Sequence, residues 1–110
     1  MKKKKVHPPS VPFEQSVMES LKENPHFAAE YLKAAIEEAT DEIGQAVLLT
    51  ALKRVAEAQG ISKVARAAGI PRASLYRAFS EEGNPRCDTL FAVVGAMGLR
   101  MTVEPAPAGH

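Results

Sequence analysis

Between positions 62 and 77 stand eight residues whose types suit them to gripping a polyanion: Ser62, Lys63, Arg66, Arg72, Ala73, Ser74, Tyr76 and Arg77. Arginine carries a planar, permanently charged fork that matches phosphate or the guanine edge with paired hydrogen bonds. Lysine offers a point charge, and hydroxyls donate to phosphate oxygens. No acid interrupts the run until Glu81. The chemistry available here is recognition of an anionic polymer. Bond making is not indicated.

Such residues read a duplex only if something holds them on one rigid ridge. The local sequence supplies two short helices and a sharp turn. Ser62 opens the first helix and Gly69 closes it, because the turn needs a residue that tolerates positive φ. Ala65 is small where the second helix crosses close above. Ile70 plugs the angle between the two. Pro71 opens the second helix, which runs to about Ser80, and Leu75 and Phe79 face inward at i and i+4. At about 100° per residue, Ala73 and Arg77 then lie nearly opposite Leu75, with Tyr76 and Ser80 on the flank. This is the layout of a helix-turn-helix, whose second helix enters the major groove with its N-terminal residues near base edges. Arg72 and Arg77 suit either guanine or phosphate. Ser62 and Lys63, at the start of the first helix, suit the backbone. Lys53, Arg54 and Arg66 extend the phosphate contacts.

Charge along the chain supports that assignment. The net charge of +1 conceals a bipolar chain. Residues 13–42 hold eight acids against Lys22 and Lys33, a balance of −6. Residues 53–86 hold seven bases against Glu57, Glu81 and Glu82, a balance of +4. The basic half suits DNA, and the acidic half points away from it, toward a basic partner.

The rest of the chain sets the frame. One hundred and ten residues make a single small domain with tails. Residues 1–12, with Lys2 to Lys5 and three prolines, read as a flexible basic leader. Residues 13–42 read as acidic N-terminal helices: Phe13, Val17, Met18 and Leu21 have helical spacing, Asn24-Pro25 stops one helix and starts the next, and Phe27, Tyr31, Leu32, Ala35 and Ile36 continue the rhythm. Residues 43–104 read as the DNA-binding domain. It begins with a helix from the Thr40-Asp41-Glu42 cap to Gly60. It ends with a helix started by Asn84-Pro85, whose apolar stripe is Leu90, Phe91, Val93, Val94 and Met97. Leu99 to Glu104 alternates apolar and polar residues, which suits a short strand paired across a dimer. Residues 105–110 read as a loose tail. The expected class is therefore all-α, a lambda-repressor-like bundle of about six helices with one possible terminal strand.

Other chemistries find no support in the sequence. His7, His26 and His110 are scattered, and the lone Cys87 cannot form an intrachain disulfide. No glycine-rich phosphate loop and no serine-nucleophile elbow occurs. The expectation is no catalytic residue, no metal, no cofactor and no enzyme. No apolar run approaches the ~20 residues that span a bilayer, and the basic leader is followed by prolines rather than an apolar stretch. A cytoplasmic, membrane-free protein is expected.

Beyond these readings, the chain resembles a known family. The segments Ala58-Gln59-Gly60-Ile61-Ser62, Leu75-Tyr76-Arg77-Ala78-Phe79-Ser80-Glu81-Glu82-Gly83-Asn84-Pro85 and Gly98-Leu99-Arg100-Met101 resemble the addiction-module antidote proteins, in the HigA-like branch of the Xre-type helix-turn-helix regulators. Ala29 to Glu38 is similar to that group as well. The likeness runs over roughly residues 27–104. It implies a bacterial antitoxin that binds operator DNA as a homodimer, represses its own operon and neutralises a small basic RelE/ParE-like toxin. Pro71 stands where that wider group often carries a capping Ser or Thr, and Lys63 where glutamine is common. Two rival functions remain open: an inhibitor module for which DNA is secondary, and a prophage-type repressor without a toxin.

Overall fold

A computed structural model describes residues 13–108; the basic leader and the last two residues lie outside that range. Six helices follow one another: α1 (Phe13–Glu23), α2 (Pro25–Glu37), α3 (Glu42–Gln59), α4 (Ile61–Ala68), α5 (Arg72–Ala78) and α6 (Cys87–Ala96). No strand occurs among the described residues.

Local chemistry sets most of the boundaries. The Asn24 side-chain oxygen accepts from the backbone N–H of His26 at 3.0 Å and of Phe27 at 3.1 Å. Pro25 follows at the first helical position, where its missing N–H costs nothing. Asp41 caps α3 in the same way, its carboxylate accepting from the Gly44 N–H at 2.8 Å. Between α4 and α5 the chain turns at Gly69, with φ +76°, a conformation strained for any residue with a Cβ. There the Gly69 N–H donates to the Arg66 carbonyl at 3.1 Å and the Ile70 N–H to the Ala65 carbonyl at 3.0 Å, which closes α4 and aims the chain into α5.

Helix α3 is the spine. Both α1 and α2 pack against it, and so does α4, which also holds α5 and α6. One core runs through the whole set. Leu21, Ala28 and Leu32 from the first two helices meet Ala51, Leu52, Val55 and Ala56 of α3, and the cluster continues through Val64, Ala65, Leu75, Phe79, Val93, Val94 and Met97. A hydrogen bond from the Gln59 side chain to the Met97 carbonyl (3.1 Å) ties the end of α3 to the end of α6.

The structure corrects several sequence expectations. Residues 99–104 form no strand: past Leu99 the segment is exposed and makes no backbone-to-backbone hydrogen bond with any described residue. A strand needs a neighbouring strand to bond to, and one copy of the chain offers none. Asn84-Pro85 does not open α6. The helix starts at Cys87 after an extended Arg86, with no side-chain cap. Ser62 is not the cap of α4 either, because the helix begins one residue earlier, at Ile61 after Gly60. α5 stops at Ala78 rather than Ser80. Phe91, read as part of the apolar stripe of the last helix, is exposed, and so are Ile36, Ile43 and Val47.

Phe79 is fully buried and is the largest side chain in the core. Phe79→Ala is expected to lower unfolding stability by about 3–5 kcal/mol, as measured by urea denaturation. Gly69→Ala, at the positive-φ turn, is expected to cost about 1–2 kcal/mol in the same assay.

Candidate nucleic-acid interface

Helix α4 divides cleanly. Val64 and Ala65 are buried, while Ser62, Lys63, Arg66 and Ala67 are exposed. Ala65 is just 3% accessible, and α4 packs against α5. On α5 only Leu75 is buried within the helix, and Phe79 anchors the residue just past its end. Arg72, Ala73 and Arg77 are exposed, and Ser74 and Tyr76 are half-buried on the flanks. The eight residues singled out by type therefore all reach the surface, from the outward sides of two adjacent short helices.

Their mutual geometry is loose but directional. The Arg72 guanidinium lies over the Tyr76 ring, 5.9 Å from its centroid, within cation–π range. The same guanidinium donates to the Ser62 hydroxyl at 3.5 Å, which links the first turn of α4 to the first turn of α5. Arg77 donates to the Ser74 hydroxyl, also at 3.5 Å. Both hydrogen bonds are at the long limit, so either arginine gives them up at little cost to a better acceptor. None of Lys63, Arg66, Arg72 and Arg77 forms an ion pair with a described residue. Four exposed cations thus stand on two adjacent helices with no ion pair among the described residues to offset them.

Two other bases of the positive segment are engaged elsewhere. Arg54 pairs with Glu14 of α1. With Lys53 it lines a groove of about 420 Å³ beside Tyr31, Val47 and Glu57. The sequence reading put Lys53 and Arg54 among the phosphate contacts; of the two, Arg54 is the one paired with an acidic residue of the N-terminal helices. Arg86 is held by Asp88 at 3.3 Å. That hydrogen bond, together with the Thr89 N–H, keeps the Asp88 carboxyl below the usual carboxylate range. Among the described residues, no group of three or more His, Cys, Asp or Glu side chains is arranged to hold a metal ion.

A second surface escaped the sequence reading. Ile36, Ile43 and Val47 straddle the α2–α3 turn and are all exposed, Ile43 by 76%. Glu37, Glu38, Asp41 and Glu42 surround them, all exposed. The signal was present: at about 100° per residue, Ile43 and Val47 lie nearly opposite Leu52 on α3, so one helix carries two apolar stripes.

With this geometry in place, comparison with known proteins is informative. The family described as "Probable addiction module antidote protein" matches residues 13–105, all six helices. The chain belongs to that family. Membership gives it an antitoxin role in a toxin–antitoxin module and implies a toxin as partner. A Haemophilus influenzae protein described only as uncharacterized is 38% identical over 74 residues, spanning 67% of this chain and 72% of that protein. No solved structure matches the chain. No helix among the described residues is long and apolar enough to cross a membrane.

Burial of Tyr31 beside the groove raises its phenol above the ordinary tyrosine value, because the phenolate loses hydration. The chain holds two tyrosines, so Tyr76→Phe leaves Tyr31 as the sole reporter. Its ultraviolet titration is expected to have a midpoint above the reference tyrosine value of about 10.

Proposed function

We propose that this antitoxin is also a sequence-specific DNA-binding repressor of the Xre type. In this reading α4 and α5 are its helix-turn-helix, and α5 lies in the major groove of operator DNA. The observation that carries it is the exposed, unpaired set of Lys63, Arg66, Arg72 and Arg77 on two adjacent helices, of which α5 is anchored by the fully buried Leu75 and by Phe79 just past its end. Arg72 and Arg77 meet base edges, with Ala73 low enough to let the helix approach. Ser62, Lys63, Ser74 and Arg66 meet phosphates, and Tyr76 orients Arg72. The protein acts as a homodimer whose two α5 helices sit about 34 Å apart, one turn of duplex, over an inverted repeat. It works in the cytoplasm by binding alone, without catalysis.

The exposed Ile36, Ile43 and Val47 with their acidic surround favour a second role, on a different part of the surface. That patch is the contact for a small basic toxin of the RelE/ParE kind: apolar centre against apolar centre, carboxylates against its cations. The two activities then use opposite charges on separate elements, so toxin and operator do not compete for one surface.

In a gel shift on the protein's own promoter, Arg72→Ala and Arg77→Ala are each expected to weaken specific binding by about 1–3 kcal/mol, while Lys63→Ala lowers affinity for all sequences alike and reduces the salt slope by about one. Unchanged operator affinity in both arginine variants would falsify the assignment. Ile43→Asp and Val47→Asp are expected to abolish rescue from the co-expressed toxin while leaving the gel shift intact. Loss of both activities together would instead indicate unfolding.

A further inference from the structure

Helix α5 has little to hold it besides α4, its main helical neighbour among the described residues. Its two ends are fixed by different means. The first turn follows the Gly69 turn and carries the Arg72 hydrogen bond to Ser62. The last turn, which carries Arg77, meets the connection to α6. There the chain doubles back: the Gly83 N–H donates to the Ser80 carbonyl at 2.9 Å, and the Ser80 hydroxyl donates to the Arg77 carbonyl at 3.0 Å. This turn sets the backbone of the half-buried Gly83 against the last carbonyls of the helix. A Cβ at Gly83 would overlap the Ala78 carbonyl oxygen, with that carbonyl's carbon at 2.6 Å and the Arg77 carbonyl oxygen at 2.9 Å. All three are backbone atoms, which cannot swing aside as a flexible side chain does.

We propose that Gly83 is a positioning residue for α5: having no side chain, it lets the α5–α6 connection close onto the end of the helix and so fixes the direction in which Arg77 projects. The inference rests on the DNA-binding reading above and deepens it, because it assigns specificity to a residue that acts through Arg77. A Cβ at position 83 forces one of two changes. Either the last peptide of α5 tilts away, or the turn opens and the Ser80 hydroxyl leaves the Arg77 carbonyl. Both release the last turn of a helix too short to hold itself. The first turn keeps its own restraints, the Gly69 turn, the Ser62 hydroxyl and the Tyr76 ring against Arg72. The effect therefore falls on Arg77 and spares Arg72. Phosphate contacts carry no sequence information and tolerate a change of aim; a base edge does not. Gly44 provides the comparison. A Cβ there would overlap the Glu38 carbonyl oxygen and stand 2.9 Å from the Ala39 Cα, the same kind of backbone crowding at the α2–α3 turn.

The test compares the full chain's affinity for its own promoter with that for a scrambled duplex of equal length, with circular dichroism as the check on folding. Gly83→Ala is expected to raise the promoter Kd by about fivefold or more, and to leave the Kd for the scrambled duplex within about twofold. Double variants locate the effect. Arg77→Ala is expected to cost about threefold less in the Gly83→Ala background than in the wild type, whereas Arg72→Ala costs the same in both. Gly44→Ala is expected to leave the promoter Kd unchanged. A loss that is purely structural would instead weaken both duplexes alike and add to both arginine variants. The positioning role is overturned by a Gly83→Ala chain that binds the promoter as the wild type does, that couples equally to Arg72 and Arg77, or that fails to fold. Equal weakening by Gly44→Ala overturns it as well. A wild type that does not prefer its promoter to the scrambled duplex would instead bring down the DNA-binding reading on which the proposal rests.

Discussion

A seven-residue helix does not hold itself together in water, since nucleation costs more than so few hydrogen bonds return. Everything the basic surface does depends on α5 being kept helical and fixed in direction from outside. Leu75 and Phe79 supply that constraint by burying completely beside Val64 and Ala65. The left-handed Gly69 turns the chain from α4 into α5. Arginines on a mobile loop lose side-chain and backbone freedom on binding, and the same arginines on an anchored helix lose less. The apolar side of α5 therefore makes its cationic side useful.

The same logic explains how the two halves coexist. The charge segregation is not carried by two independent bodies, because one core continues from Leu21 to Met97 with α3 through its middle. Arg54 and Glu14 join the acidic and basic segments directly. That exposed pair contributes little energy, yet it removes one cation from the basic surface and marks where that surface stops. The carboxylates of α2 and the first turn of α3 then gather around exposed isoleucine and valine. Four bases remain unpaired on α4 and α5.

Much of this was legible in the residues. Asn24-Pro25, Asp41, Gly60 and Gly69 mark helix boundaries through local chemistry, and such signals survive any tertiary context. The inward pair Leu75 and Phe79 and the outward set around Arg77 follow from helical spacing alone. The failures were of two kinds. Asn84-Pro85 carries the same cap signature as Asn24-Pro25, but the helix there starts only at Cys87, after an extended Arg86; two identical local signals differ in outcome because the second lies in an eight-residue connection with room for an alternative path. Phe91 was misplaced because apolar periodicity identifies a helix but not which of its stripes finds a neighbour. An exposed apolar stripe looks like core until the packing is seen.

The connections have a kinetic consequence. Single residues, Asn24 and Gly60, join α1 to α2 and α3 to α4, and three residues join α4 to α5. Nearly every helix thus meets its packing partner close by along the chain, without the long loop closures that slow sheet proteins. Topologies of this sort reach the native state in microseconds to milliseconds. A newly synthesised antidote is then competent almost as soon as it leaves the ribosome, and its supply is set by synthesis and degradation with no folding lag between them.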